Sequence, residues 1–160
     1  MPPRQMTAQA ASFYRKLTAA ENLAYFGSLY GLSDAAIKKN TNALLNLMEL
    51  SAARNTLAGN LSGGMERRLD IACALVHNPD VLLLDEPTAD LDPQLREHIN
   101  RLILSINKAG TTVIIASHYL EDMERIASRV ALVSAGRILA VGTPEELRLR
   151  YARESRIVLE

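Results

Sequence analysis

Tryptophan is absent from these 160 residues, phenylalanine occurs twice and tyrosine five times, so no aromatic platform is available for stacking bases. An excess of one charge is also missing, because 18 Lys and Arg balance 18 Asp and Glu. Phosphate backbones are bound by surplus Lys and Arg, and a net charge near zero gives no ground for expecting a nucleic-acid partner. The single cysteine, Cys73, cannot form an internal disulfide and suits a reducing compartment. Flanked by Ile71, Ala72, Ala74 and Leu75, it reads as a small buried hydrophobe and not as a nucleophile. No stretch approaches the ~20 apolar residues of a membrane span. Met1-Pro2-Pro3-Arg4-Gln5 carries a charge with no apolar segment behind it, unlike a signal peptide. The expectation is a cytoplasmic chain of one-domain size, long enough to bury a core.

Local signals divide what is present. Residues 1–16 show no clear period. Thr18-Ala19-Ala20-Glu21 is a capping box that opens a helix, with Gly31 as its stop. A second helix begins near Ser33 or Asp34 and carries Ile37, Leu44, Leu45 and Met48 on an apolar face. Arg54 to Asn60 reads as loop. After Gly63-Gly64 a helix runs to about His77, ended by Asn78-Pro79-Asp80. Val81 to Leu84 is an apolar run too short for a helix, which predicts a strand buried on both faces, and Thr112 to Ala116 predicts another buried strand. Between them Asp92-Pro93 caps a helix that Gly110 ends. A helix over about 119–127, strands at 130–133 and 138–141 around a Ser134-Ala135-Gly136-Arg137 turn, and a short helix from Thr143-Pro144-Glu145-Glu146 complete the chain. Alternating strands and helices with short connections predict a parallel sheet covered by helices, beside a mostly helical first half.

Three features carry chemistry. Asp85 and Glu86 emerge where a buried strand stops, and open α/β sheets bind ligands beyond the carboxyl ends of their strands. Such a pair is usually held by a metal, a positive group or a reacting water, the alternative being an ordinary strand end with a turn-forming aspartate. His118 ends the neighbouring strand on the same sheet edge, unlike His77 and His98, which have no such placement. Leu61-Ser62-Gly63-Gly64 directly precedes a helix, so backbone N–H groups, a hydroxyl and the helix N-terminus could hold a phosphate; a flexible turn reads equally well.

In order and spacing these pieces resemble the ATP-binding cassette family. Leu61 to Gly64 looks like its signature sequence, Val81 to Glu86 like its Walker B strand, Ala89-Asp90-Leu91-Asp92 like its D-loop, and His118 like its switch histidine. Gln9, eight residues before Leu17-Thr18, matches the Q-loop glutamine. The string from Leu61 to Leu69 and the Val141-Gly142-Thr143-Pro144-Glu145 tail look most like export-type cassettes that serve a separate membrane subunit. Met65 departs from the commoner Gln, after the anion-binding glycines.

The resemblance implies an α/β fold: a partial P-loop NTPase-like lobe with parallel strands and flanking helices, plus a helical signature subdomain. Residues 1–16 would be the Q-loop region, 17–78 the helical subdomain and 79–160 the catalytic lobe. It implies ATP and Mg²⁺ as cofactors, with Asp85 and Gln9 at the metal. Glu86 would orient the attacking water and His118 would contact the γ-phosphate. Gln9 would report nucleotide state to an integral membrane permease. Ser62, Gly63, Gly64 and Asp90 would contact nucleotide, the signature residues reaching ATP on the other subunit of a head-to-tail dimer. The chain would lie peripherally on the inner face of the membrane.

The cassette's Gly-x-x-x-x-Gly-Lys-Ser/Thr loop does not occur here. Gly59 to Gly64 has the interval but is followed by Met65-Glu66, and none of Lys16, Lys38, Lys39 and Lys108 follows a glycine. The resemblance therefore implies an N-terminally truncated cassette, inactive alone, whose two strands lack neighbours and leave an apolar patch open. The competing function is a non-catalytic domain that lends its signature loop to a complete cassette partner. A DNA-repair or translation cassette is disfavoured by the neutral charge and the lack of long heptads.

Overall fold

The computed structural model describes residues 6–7 and 13–152, so Gln9 lies outside the described residues. The chain forms two compact units, Met1–Ala116 and Ser117–Glu160.

In the first unit, helix α1 (Ala19–Leu29) starts at the capping box: Thr18 Oγ1 accepts from Glu21 N, and Thr18 N donates to the Glu21 carboxylate at 2.7 Å. Gly31 follows its C-cap at φ 73°, a left-handed conformation that glycine adopts without a Cβ penalty. Helix α2 (Asp34–Leu47) is capped by Ser33 and turns Leu44 and Leu45 inward. Residues 51–60 contain two short 3₁₀ turns, Ser51–Ala53 and Ala58–Asn60, so the region read as loop is tighter than expected. Helix α3 (Gly63–Leu75) starts at the two glycines and is buried all round from Leu69 onward. Leu23, Leu45, Met48, Leu50, Leu69 and Ile71 are fully buried. Each removes enough apolar surface from water to contribute about 1.5–3 kcal/mol.

Strands β1 (Met6–Thr7), β2 (Val81–Asp85) and β3 (Thr112–Ala116) form a parallel sheet in the order β1-β2-β3. Helix α4 (Pro93–Lys108) connects β2 to β3, with Asp92 Oδ1 accepting from Gln94 N and Leu95 N at 3.0 Å and proline at the first helical position. The parallel sheet was predicted; β1 was not, because two residues are too few to show a period.

Burial within the sheet corrects the expectation. Leu82 and Leu84 are buried at 1% and 3% exposure, while Val81 is 41% and Ile114 54% exposed. Because side chains alternate along a strand, Val81, Leu83 and Asp85 share a face with Thr112, Ile114 and Ala116 across the register. That face is open, and β3 is not a buried strand. Parallel sheets are ordinarily covered on both sides; here Val81 and Ile114 are apolar and exposed, while β2, expected to lack neighbours, has β1 on one side and β3 on the other.

In the second unit, helix α5 (Leu120–Ile126) precedes a hairpin of β4 (Val130–Ser134) and β5 (Arg137–Gly142). These two strands pair antiparallel in a sheet of their own. Ala135 and Gly136 both have positive φ, 48° and 72°, as the two-residue turn requires. Helix α6 (Pro144–Ala152) begins with a second reciprocal cap between Thr143 and Glu146.

Candidate functional site

Asp85 is the last residue of β2 and pairs in register with Ala116, the last residue of β3. The strands are parallel, so the acid pair leaves the sheet at the end where β3 stops at Ala116. Asp85 and Glu86 are half-buried. Glu86 N donates to Ala116 O at 2.8 Å, extending the ladder by one bond, and there the backbone breaks into φ 47°. A non-glycine residue in that region carries strain of order 1–3 kcal/mol and persists only where its surroundings hold it. Asp90 repeats the conformation at φ 58° and is exposed.

A residue that sequence reasoning passed over lies beneath this turn. Arg67, on α3, donates from Nε to Pro87 O at 2.9 Å and from one terminal nitrogen to Asp85 O at 3.0 Å and Glu86 O at 2.6 Å. Its other terminal nitrogen lies 3.6 Å from the buried Asp70 carboxylate. Hydrogen bonds from a charged donor contribute about 1.5–3 kcal/mol each. Arg67 thus helps to satisfy three main-chain carbonyls where β2 ends. Only the adjacency of Arg67 to the glycines could have drawn notice, since an arginine bonded to main chain has no side-chain pattern to betray it.

The signature-like segment sits at the N-terminus of α3. Ser62 is its N-cap, and its hydroxyl oxygen accepts from Met65 N at 3.4 Å, which leaves its proton to donate elsewhere. The two glycines differ. Around Gly63 a Cβ would meet nothing within 4 Å, so its backbone faces open space. A Cβ at Gly64 would overlap the side chain of Leu95, so a larger residue there requires Leu95 on α4 to shift. Gly63, Arg67, Asp70, Glu86 and Asp90 line one cleft of about 540 Å³.

His118 belongs to the second unit; it is exposed, and its ring lies 4.2 Å from that of Tyr119. Among the described residues no three His, Cys, Asp or Glu side chains cluster as metal donors. Mg²⁺ usually takes one or two carboxylates and completes its shell with water and phosphate oxygens. Asp85, half-buried at a strand end, fits that mode. Cys73, fully enclosed, has its thiol pushed up first by burial and then by the Asp70 charge, in keeping with a packing role.

Residues 3–89 match the family model described as ABC transporter. The chain is similar to the linearmycin resistance ATP-binding protein LnrL of Bacillus subtilis (strain 168), 38% identical over 94% of this chain and 49% of that protein. It is also similar to the Nod factor export ATP-binding protein I of Cupriavidus metallidurans, 42% identical over 79% of this chain and 42% of that one. Among solved structures, cbiO1 from Clostridium perfringens, part of the ABC transporter complex cbiONQ, superposes with a TM-score of 0.78 at 27% identity, covering 89% of this chain and 61% of that one. The chain spans about half the length of the relatives it matches.

Proposed function

The chain belongs to the ABC transporter family, and from that premise we propose that it is the ATP-binding and ATP-hydrolysing part of a complex that drives export across a membrane. The observation that carries the reading is that Glu86, just past the carboxyl end of a parallel strand, and Gly63, at the N-terminus of α3, line one cleft.

Phosphoryl transfer to water demands an aligned nucleophile and neutralised charge, with little covalent work for the protein. Glu86 orients the attacking water and accepts its proton, held to that task by a strained turn. Asp85, with Gln9, would hold Mg²⁺, and the ion when bound would neutralise charge on the phosphate oxygens. His118 donates to the γ-phosphate. Ser62 and Gly63 present a hydroxyl, N–H groups and the helix N-terminus to the γ-phosphate of ATP on a facing cassette, with Asp90 beside them. Gln9 relays nucleotide state to a permease, through which the chain lies on the cytoplasmic membrane surface.

The 160 residues hold no Gly-x-x-x-x-Gly-Lys-Ser/Thr. Micromolar ATP binding is about −8 kcal/mol, and a phosphate loop contributes several charge-assisted hydrogen bonds of roughly 1.5–3 kcal/mol each. Without them most of the affinity is gone, so this chain by itself is inactive. The open space at Gly63 favours a second role, a domain that lends Ser62 and Gly63 to a complete partner and needs no Glu86.

Fragment complementation tests the reading. The half of a homologous cassette that carries the phosphate loop is added in trans, and phosphate release is followed. Hydrolysis that needs both pieces and disappears with Glu86→Gln supports it. Hydrolysis indifferent to Glu86→Gln leaves only the signature-lending role.

A further inference from the structure

A strained turn next to a reacting carboxylate needs something to hold it. The ladder to β3 ends with Glu86 N donating to Ala116 O. The carbonyls of Asp85, Glu86 and Pro87 all accept from one guanidinium, that of Arg67, at 3.0, 2.6 and 2.9 Å, and Glu86 O also accepts from Ala89 N at 3.2 Å. The Arg67 side chain is only 18% exposed and rests on Asp70, whose carboxylate is 3% exposed. A planar fork with five donors suits several acceptors at fixed positions, which a point-charge ammonium does not. Pro87 and Thr88, which follow Glu86, are themselves fully buried, so the turn is gripped from both ends.

We propose that Arg67 is a positioning residue: anchored on Asp70, it ties down three successive carbonyls and so holds Glu86 in the left-handed turn that presents its carboxylate to the cleft. The link to catalysis rests on the reading of Glu86 as the water-orienting acid; the mechanical link between positions 67 and 86 does not. α3 thereby does two things. Its N-terminus carries the signature residues, and its second turn sets the geometry of the acid. A displacement of α3 relative to β2 would move the acid with it.

The neighbouring arginine supplies the control. Arg68 lies on the same helix but donates to Met48 O at 2.8 Å and pairs with Glu49 at 3.5 Å, away from the turn. The 160-residue chain, isotope-labelled, is compared as wild type, Arg67→Met, Arg67→Lys and Arg68→Met, with urea unfolding of each. The readout is the Glu86 Cα resonance, which reports the backbone conformation of that one residue. In Arg67→Met it moves upfield, from left-handed toward extended values, and in Arg67→Lys it moves the same way. Arg68→Met lowers the urea midpoint while leaving the resonance in place. A Glu86 resonance unmoved in the Arg67 variants, or moved equally in Arg68→Met, overturns the proposal. If Arg67→Met does not fold, Arg67→Lys decides alone. A resonance that follows position 67 while complemented hydrolysis ignores Glu86→Gln keeps the clamp and removes the catalytic reading.

Discussion

The glycines of the signature-like segment look equivalent in sequence and are not equivalent in space. A Cβ on Gly64 would overlap Leu95, whereas one on Gly63 would meet nothing. Overpacking a close contact typically costs about 1–3 kcal/mol, so Gly64→Ala is expected to lower the unfolding free energy measured in urea by that amount. Gly63→Ala is expected to stay within about 1 kcal/mol of wild type, since alanine is the better helix former. Equal losses in the two variants would show that the helix packing argument is wrong. The residue type was legible because two glycines before a helix suggest close backbone approach; which glycine serves packing depends on α4, some thirty positions away. His77 gives a second residue-scale test. Its ring stacks on Tyr30 at 3.9 Å, and burial holds it below its ordinary 6.5. The unfolded chain then takes up a proton more readily as pH falls, so this contribution is present above 6.5 and is lost on acidification below it. Between about pH 7.5 and about pH 5.5 the urea midpoint should fall further in wild type than in His77→Gln.

At the scale of elements, caps and strand faces set the expectations. Asp92 Oδ1 accepts from two backbone N–H groups at the start of α4, and Asp92→Ala should cost about 1 kcal/mol, measurable by urea unfolding. On β2 and β3 the faces diverge. Leu82→Ala removes a side chain that is 1% exposed and should cost about 2–5 kcal/mol, whereas Ile114→Thr, on the open face, should stay within about 0.5 kcal/mol. Comparable losses at both positions would mean that the Ile114 face is covered in solution. Helix starts were read well because a cap is a local signal: Thr18, Ser33, Ser62 and Asp92 all accept from the first turn of the helix they precede. Burial of the strands was read poorly. An apolar run reports what a strand is built to face, and Ile114 is built for a layer absent among the described residues. The two-residue β1 and the bonds of Arg67 to main-chain oxygens left no periodic or side-chain trace to read.

For the whole molecule, a chain about half the length of its relatives belongs to the ABC transporter family and keeps a parallel sheet beside a helical region. The parallel sheet and its crossover helix were legible because a buried strand, a capped helix and a second strand follow one another at short intervals. The separate β4-β5 sheet and the division at Ala116 depend on packing that local patterns do not encode. The central claim is that these residues supply the groups that act on a triphosphate and not the loop that grips it. Titration calorimetry of the purified chain with ATP and Mg²⁺ tests this directly. The account predicts no saturable heat at concentrations up to about 1 mM; a saturable isotherm with a submillimolar Kd, retained in a chain whose only glycine-spaced candidate loop ends in Met65-Glu66, would contradict it.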